Sequence, residues 1–70
     1  MAQAQPLMNS PTPVEVWAAR ERSGLTQTEA AALVHGTLRA WQGWEAPEGE
    51  PAARRMHPGL WELFQIKTKA

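Results

Sequence analysis

The sequence predicts an all-α fold, a compact bundle of four short helices around a central helix-turn-helix, and three observations predict it. First, threonine is followed three residues later by glutamate at Thr12/Glu15 and again at Thr26/Glu29, a spacing that lets hydroxyl and carboxylate cap a helix start reciprocally. Second, proline or glycine punctuates each apolar-periodic run, at Pro13, Gly24, Gly36, Pro47 and Pro58. Third, two helical patterns between Leu25 and Glu45 are separated only by His35-Gly36-Thr37, which leaves room for a tight turn and little else.

Each element follows in order. Residues 1–11 are polar, hold two prolines and show no apolar period, so they are expected as a disordered arm ahead of a domain spanning 12–67. Thr12 opens the first helix with Pro13 at its first position. Val14, Trp17 and Glu21 share one side of it, and Val16, Arg20 and Ser23 share another. Gly24 ends it, because a left-handed residue past the last turn strains glycine little. Thr26 opens the second helix, and each threonine cap is worth about 1 kcal/mol. Ala30, Ala31 and Val34 face one side, and the small alanines let a neighbouring helix come close. Thr37 is a third capping candidate. The third helix, Leu38 to about Ala46, carries Leu38, Trp41 and Trp44 as a buried face and leaves Arg39, Gln42 and Gly43 on the other. Pro47 stops it.

Residues 47–57 combine two prolines, one glycine and four charges without period, giving a loop longer than the usual connection with room for a fifth short turn. Residues 58–67 then form a fourth helix, apolar at Leu60, Trp61, Leu63, Phe64 and Ile66. That is more apolar surface than one stripe needs, so Leu60, Trp61 and Phe64 are expected to face a second subunit.

Composition narrows the function classes. Seventy residues make one small domain, whose stability is thin unless a partner chain supplements it. Cysteine is absent, so neither a disulfide framework nor a thiolate metal site is expected. His35 and His57 have no second ligand or nucleophile at a usable spacing, and there is no glycine-rich phosphate loop or paired carboxylate set. No metal, no cofactor and no enzymatic activity are therefore expected. The first residues lack a basic start and an apolar run, and no stretch approaches the roughly 20 apolar residues of a membrane span, so the expected location is cytoplasmic. Seven Lys/Arg balance seven Asp/Glu, so any attraction for nucleic acid must come from local placement rather than net charge.

Residues 17–47 resemble the Cro and phage-repressor helix-turn-helix regulators, also called XRE-like, whose fold is lambda-repressor-like. The residues that carry the likeness are Ser23-Gly24-Leu25-Thr26-Gln27 leading into the second helix, Ala31 at the close helix contact, the His35-Gly36-Thr37 turn, and Trp44-Glu45 at the end of the recognition helix. The later run from Met56 to Phe64 is similar to the tail of small bacterial regulators of this kind, including some of mobile elements.

The resemblance implies a transcriptional regulator, usually a repressor and often of its own promoter. It would bind double-stranded DNA at an inverted repeat as a homodimer, with recognition helices 37–46 in major grooves about 34 Å apart. It assigns base reading to Thr37, Leu38, Arg39, Gln42 and Gly43, where arginine can bridge guanine and glutamine can pair with adenine. It assigns phosphate contacts to Thr26, Gln27, Arg54 and Arg55, and a structural ion pair to Arg20 and Glu45.

Two positions depart from the pattern. The turn residue usually held by glycine is His35, with Gly36 one later, so either the left-handed position shifts or His35 adopts it. Gly43 stands where relatives often carry a reading side chain; either the DNA or another backbone approaches there, or that base goes unread. A competing class is a protein-interaction module that docks a protein partner through the Leu60–Ile66 segment, and an antitoxin would combine both roles.

Overall fold

The computed structural model describes residues 10–69, and its first two helices begin where the threonine–glutamate spacings place them. Helix α1 spans Pro13–Ser23, α2 Gln27–Leu33, α3 Leu38–Glu45 and α4 Pro58–Thr68. At the start of α1 the Glu15 N–H donates to the Thr12 hydroxyl at 3.2 Å, while the Glu15 carboxylate accepts the Thr12 N–H at 2.8 Å. Thr26 and Glu29 repeat the exchange at α2, at 3.1 and 2.9 Å. Thr37 caps α3 by accepting from the Ala40 N–H at 3.1 Å. At α4 the imidazole of His57 takes the capping role, with Nδ1 accepting from the Gly59 N–H at 2.8 Å.

The first two helices also end alike. Gly24 N–H donates to Glu21 O at 3.1 Å and Leu25 N–H to Arg20 O at 3.4 Å; His35 N–H donates to Ala32 O at 3.2 Å and Gly36 N–H to Ala31 O at 2.8 Å. Both are Schellman closures, which need one left-handed residue. Gly24 supplies it in the first, with φ 71°, and His35 in the second, with φ 62°. Of the two readings of the turn, the histidine therefore adopts the left-handed conformation. For an L-residue that costs about 1–2 kcal/mol, offset in a glycine replacement by roughly 0.5–1 kcal/mol of extra chain entropy. His35→Gly is expected to stabilise the domain by about 0.5–1 kcal/mol, read as a calorimetric Tm higher by roughly 2–8 °C.

The core collects Val16 and Ala19 from α1, Ala30, Ala31 and Val34 from α2 and its end, Trp41 from α3, Met56 before α4, and Phe64 from α4. Trp41 lies at its centre. Trp44 meets it edge-on at a centroid distance of 5.4 Å and Phe64 at 5.1 Å, and Trp61 stacks on the outer side of Phe64. The alanines of α2 are what let α3 approach closely enough for Trp41 to be covered completely. Lys67 closes the far end by donating to the Leu33 carbonyl at 2.8 Å, one of the carbonyls that the end of α2 leaves free.

One choice the sequence left open is decided, and three sequence expectations change. The inward stripe of α1 is Val16–Ala19, continued by half-buried Arg20 and Ser23, while Val14 and Trp17 are 72% and 49% exposed. Leu38, expected in the core, is exposed at the start of α3. Phe64 is fully buried between two tryptophans of its own chain, so it is no surface for a second subunit; Leu60 and Trp61 are half-buried against the core, and Ile66 is the exposed apolar residue of α4. Finally, Ser10 and Pro11 do not belong to an arm: Pro11 is buried and the Ser10 carbonyl accepts from Arg55 Nη2 at 3.1 Å. The remainder of the expected arm, residues 1–9, lies outside the described residues.

The 47–57 connection holds two successive turns, closed by Glu50 N–H to Pro47 O at 3.1 Å and Ala53 N–H to Glu50 O at 3.0 Å. Among the described residues there is no strand, and no helix is long and apolar enough to cross a membrane.

Candidate nucleic-acid interface

The setting of α3 is decided at its last residue. Glu45 receives Arg20 Nε at 2.6 Å and Arg20 Nη2 at 3.1 Å, Gln27 Nε2 at 3.0 Å, and the indole N–H of Trp41 at 2.6 Å. One carboxylate thus gathers donors from α1, α2 and its own helix, and Arg20 Nη1 adds a bond to the Leu25 carbonyl at 3.0 Å between the first two helices. The side chains of Arg20 and Glu45 are only 12% and 8% exposed. Burial pushes the Glu45 carboxyl up, but the hydrogen bonds from Arg20, Trp41 and Gln27 outweigh it and hold the group below its ordinary value. The bond to Glu45 holds the Arg20 guanidinium above its own, against the opposing effect of burial. A charged, doubly bonded pair is the result, with its remaining acceptor capacity filled by neutral donors.

With its inner side held there, α3 turns Thr37, Arg39 and Gln42 outward, all exposed. They line one cleft of about 530 Å³ with Ala40, Gly43, Trp44, Ala52 and Arg54. The cleft is therefore walled on one side by α3 and on the other by the loop that follows it. Leu38 stands exposed beside it.

Gly43 is closed off by the loop. It is buried, and a Cβ built on it would stand 2.9 Å from the Ala52 carbonyl oxygen. The Arg54 N–H donates to the Gly43 carbonyl at 3.0 Å, so the loop is laid along the helix at the one position without a side chain. Of the three readings of this glycine, the close approach of another backbone is the one realised. Gly43→Ala would gain about 1 kcal/mol of helix propensity but force the loop off at an overpacking cost of roughly 1–3 kcal/mol. A net destabilisation of up to about 2 kcal/mol is expected in urea titration, against the sign that propensity alone gives.

The other predicted residues divide. Thr26 is exposed with its hydroxyl accepting the Glu29 N–H, which leaves its own hydrogen to donate. Gln27 gives one amide hydrogen to Glu45 and keeps the second. Arg55 is engaged by Glu48 and by the Ser10 carbonyl, so its charge is largely answered within the chain. Arg54 lies on the cleft itself rather than beyond it. Trp41 and Gln27 as partners of Glu45, and Ala52 as the wall against Gly43, were not anticipated. The four-residue spacing of Trp41 and Glu45 on one helix side was the available signal for Trp41, while no local pattern marked Ala52. Among the described residues no three His, Cys, Asp or Glu side chains come together as a metal group. A scan against protein-family models matches no family, and a search of curated proteins finds no match to this chain.

Proposed function

We propose that this chain is a sequence-specific binder of double-stranded DNA, a transcriptional regulator of repressor type that occupies an inverted repeat as a homodimer and works in the cytoplasm. The observation that carries the proposal is the division of α3. Its inner side is held by the Glu45 cluster, and its outer side presents Arg39 and Gln42, with capping Thr37, on an open cleft. Arginine and glutamine are the side chains that pair bidentately with guanine and adenine edges in the major groove. Such pairing needs a helix that does not rotate, which a three-helix anchor at its end provides. Neutral net charge leaves little non-specific attraction, so affinity depends on the local set of donors and on pairing two copies.

Fluorescence anisotropy with duplexes tiling the DNA upstream of the coding region tests this. One duplex is expected to bind in a salt-dependent manner, and Arg39→Ala is expected to weaken it roughly 5- to 150-fold. Absence of binding to every duplex at low salt and micromolar protein would sink the proposal. The result would then favour the interaction module; its expected docking segment, Leu60–Ile66, leaves Ile66 as its exposed apolar residue, so exposed Val14 and Trp17, flanking an apolar hollow with Pro13 and Pro47, are a second surface to test.

A further inference from the structure

Arg54 differs from the other cations of this surface in how it is held. Its backbone N–H is fixed to the Gly43 carbonyl at 3.0 Å, and its Cγ and Cβ lie 3.7 and 3.8 Å from the point where a Gly43 side chain would begin. The stem of Arg54 therefore lies beside the space that a residue-43 side chain would enter. Its Nη1 donates to the carbonyls of Pro51 at 3.1 Å and Ala53 at 2.8 Å. A guanidinium has five N–H groups, and those two bonds account for both hydrogens of Nη1. The hydrogens of Nε and Nη2 make no bond among the described residues, and this edge is a planar fork of two parallel donors. Arg54 lines the same cleft as Arg39 and Gln42. Arg55, by contrast, is answered by Glu48 and Ser10.

We propose that Arg54 supplies from the loop the base-reading side chain that Gly43 lacks, and that its Nε/Nη2 edge reads the O6 and N7 acceptors of a guanine beside the base met by Gln42. This rests on the DNA-binding function proposed above. It reassigns Arg54 from a backbone contact to a determinant of sequence. The glycine is what makes the arrangement work: a side chain at 43 would occupy the space and push the loop away. A phosphate contact asks only for a charge within reach, whereas a guanidinium tied at Nη1 to two loop carbonyls at the edge of the cleft has the fixed plane that a bidentate pair requires.

The test is selection of wild type, Arg54→Ala, Arg54→Lys and Arg39→Ala from a pool of randomised duplexes. Titration of each protein then follows on the enriched duplex and on duplexes changed at single base pairs. Wild type is expected to enrich a motif with one G·C pair whose replacement weakens binding roughly 5- to 150-fold. Arg54→Ala should bind the motif more weakly by that factor and be indifferent at that pair alone. Arg54→Lys should recover the salt dependence but not the preference, and Arg39→Ala should relax a different pair. Arg54 is exposed, so these variants are expected to keep the wild-type circular dichroism. If Arg54→Ala weakens every duplex equally, or lysine restores full discrimination, Arg54 is a phosphate contact and the proposal is overturned. If Arg54→Ala changes nothing, it is overturned outright. If wild type enriches no motif, the DNA-binding function fails first and Arg54 has nothing to read.

Discussion

Glu45→Ala is expected to remove a large share of the domain's stability. The substitution leaves the Arg20 guanidinium, 12% exposed, without its counter-charge and deprives Gln27 and the buried Trp41 indole of their acceptor. Removing one partner of a buried pair costs about 3–5 kcal/mol. A domain of this length has roughly 3–10 kcal/mol of stability at 0.05–0.15 kcal/mol per residue. Urea denaturation followed by circular dichroism should show the loss. The Arg20→Ala, Glu45→Ala double variant should lose less than the sum of the singles, since neither charge is then stranded. Acid provides a second readout. The Glu45 carboxyl titrates below its ordinary value of 4.5 in the folded chain, so the stability it contributes is fully present above about pH 4.5 and is lost as pH falls through the lower, folded value. Wild type should therefore show a decline in Tm in that window that Glu45→Gln lacks. A wild-type profile matching that of the glutamine variant would show that the carboxylate is not preferentially stabilised by folding.

The second large effect is expected at Phe64. Its ring is fully buried, inserted between Trp41 and Trp61, and truncation of such a phenylalanine to alanine costs about 3–5 kcal/mol. Ile66, two residues on and 63% exposed, should tolerate the same truncation within about 0.5 kcal/mol. Thermal unfolding of the two variants side by side decides whether α4 is part of the core or an appendage: equal, small losses would mean that α4 contributes little to the folded domain.

What the sequence made legible was local. The threonine caps could be read because a capping box is complete within four residues, and they form as the spacing requires. The four helices and the tight turn followed from the same signals. The Arg20–Glu45 pair came from the resemblance, not from periodicity, because its partners are far apart in the chain. The face of α1 was ambiguous for a physical reason: Val14–Trp17 and Val16–Ala19 are both apolar stripes, and only the position of α3 selects the second. Leu38 was misplaced because residues three apart on an α-helix drift by about 60°. Centring the buried face on Trp41 puts Leu38 and Trp44 on opposite shoulders, and the turn covers only Trp44: a Cβ on Gly36 would lie 3.4 Å from its ring. Gly43 could be singled out as odd from the sequence, but what fills the space beside it is a loop residue nine positions later, which no local pattern reveals. Arg39 and Gln42 lie on the outward face of α3 as their spacing requires, whereas Gly43, placed with them by the same spacing, is buried under the loop.

The matched Schellman closures of α1 and α2 have a kinetic consequence. Together with the threonine caps, they complete these helix ends with bonds that reach only three to five residues along the chain. Closing such short rings costs little loop entropy, so those ends can form before any tertiary contact exists. Distant segments must come together for the Arg20–Glu45 pair, for the Arg55 bond to the Ser10 carbonyl and for the insertion of Phe64 beside Trp41. The helix ends are thus local, while the docking of α1 on α3 and of α4 on the core waits on these long-range closures.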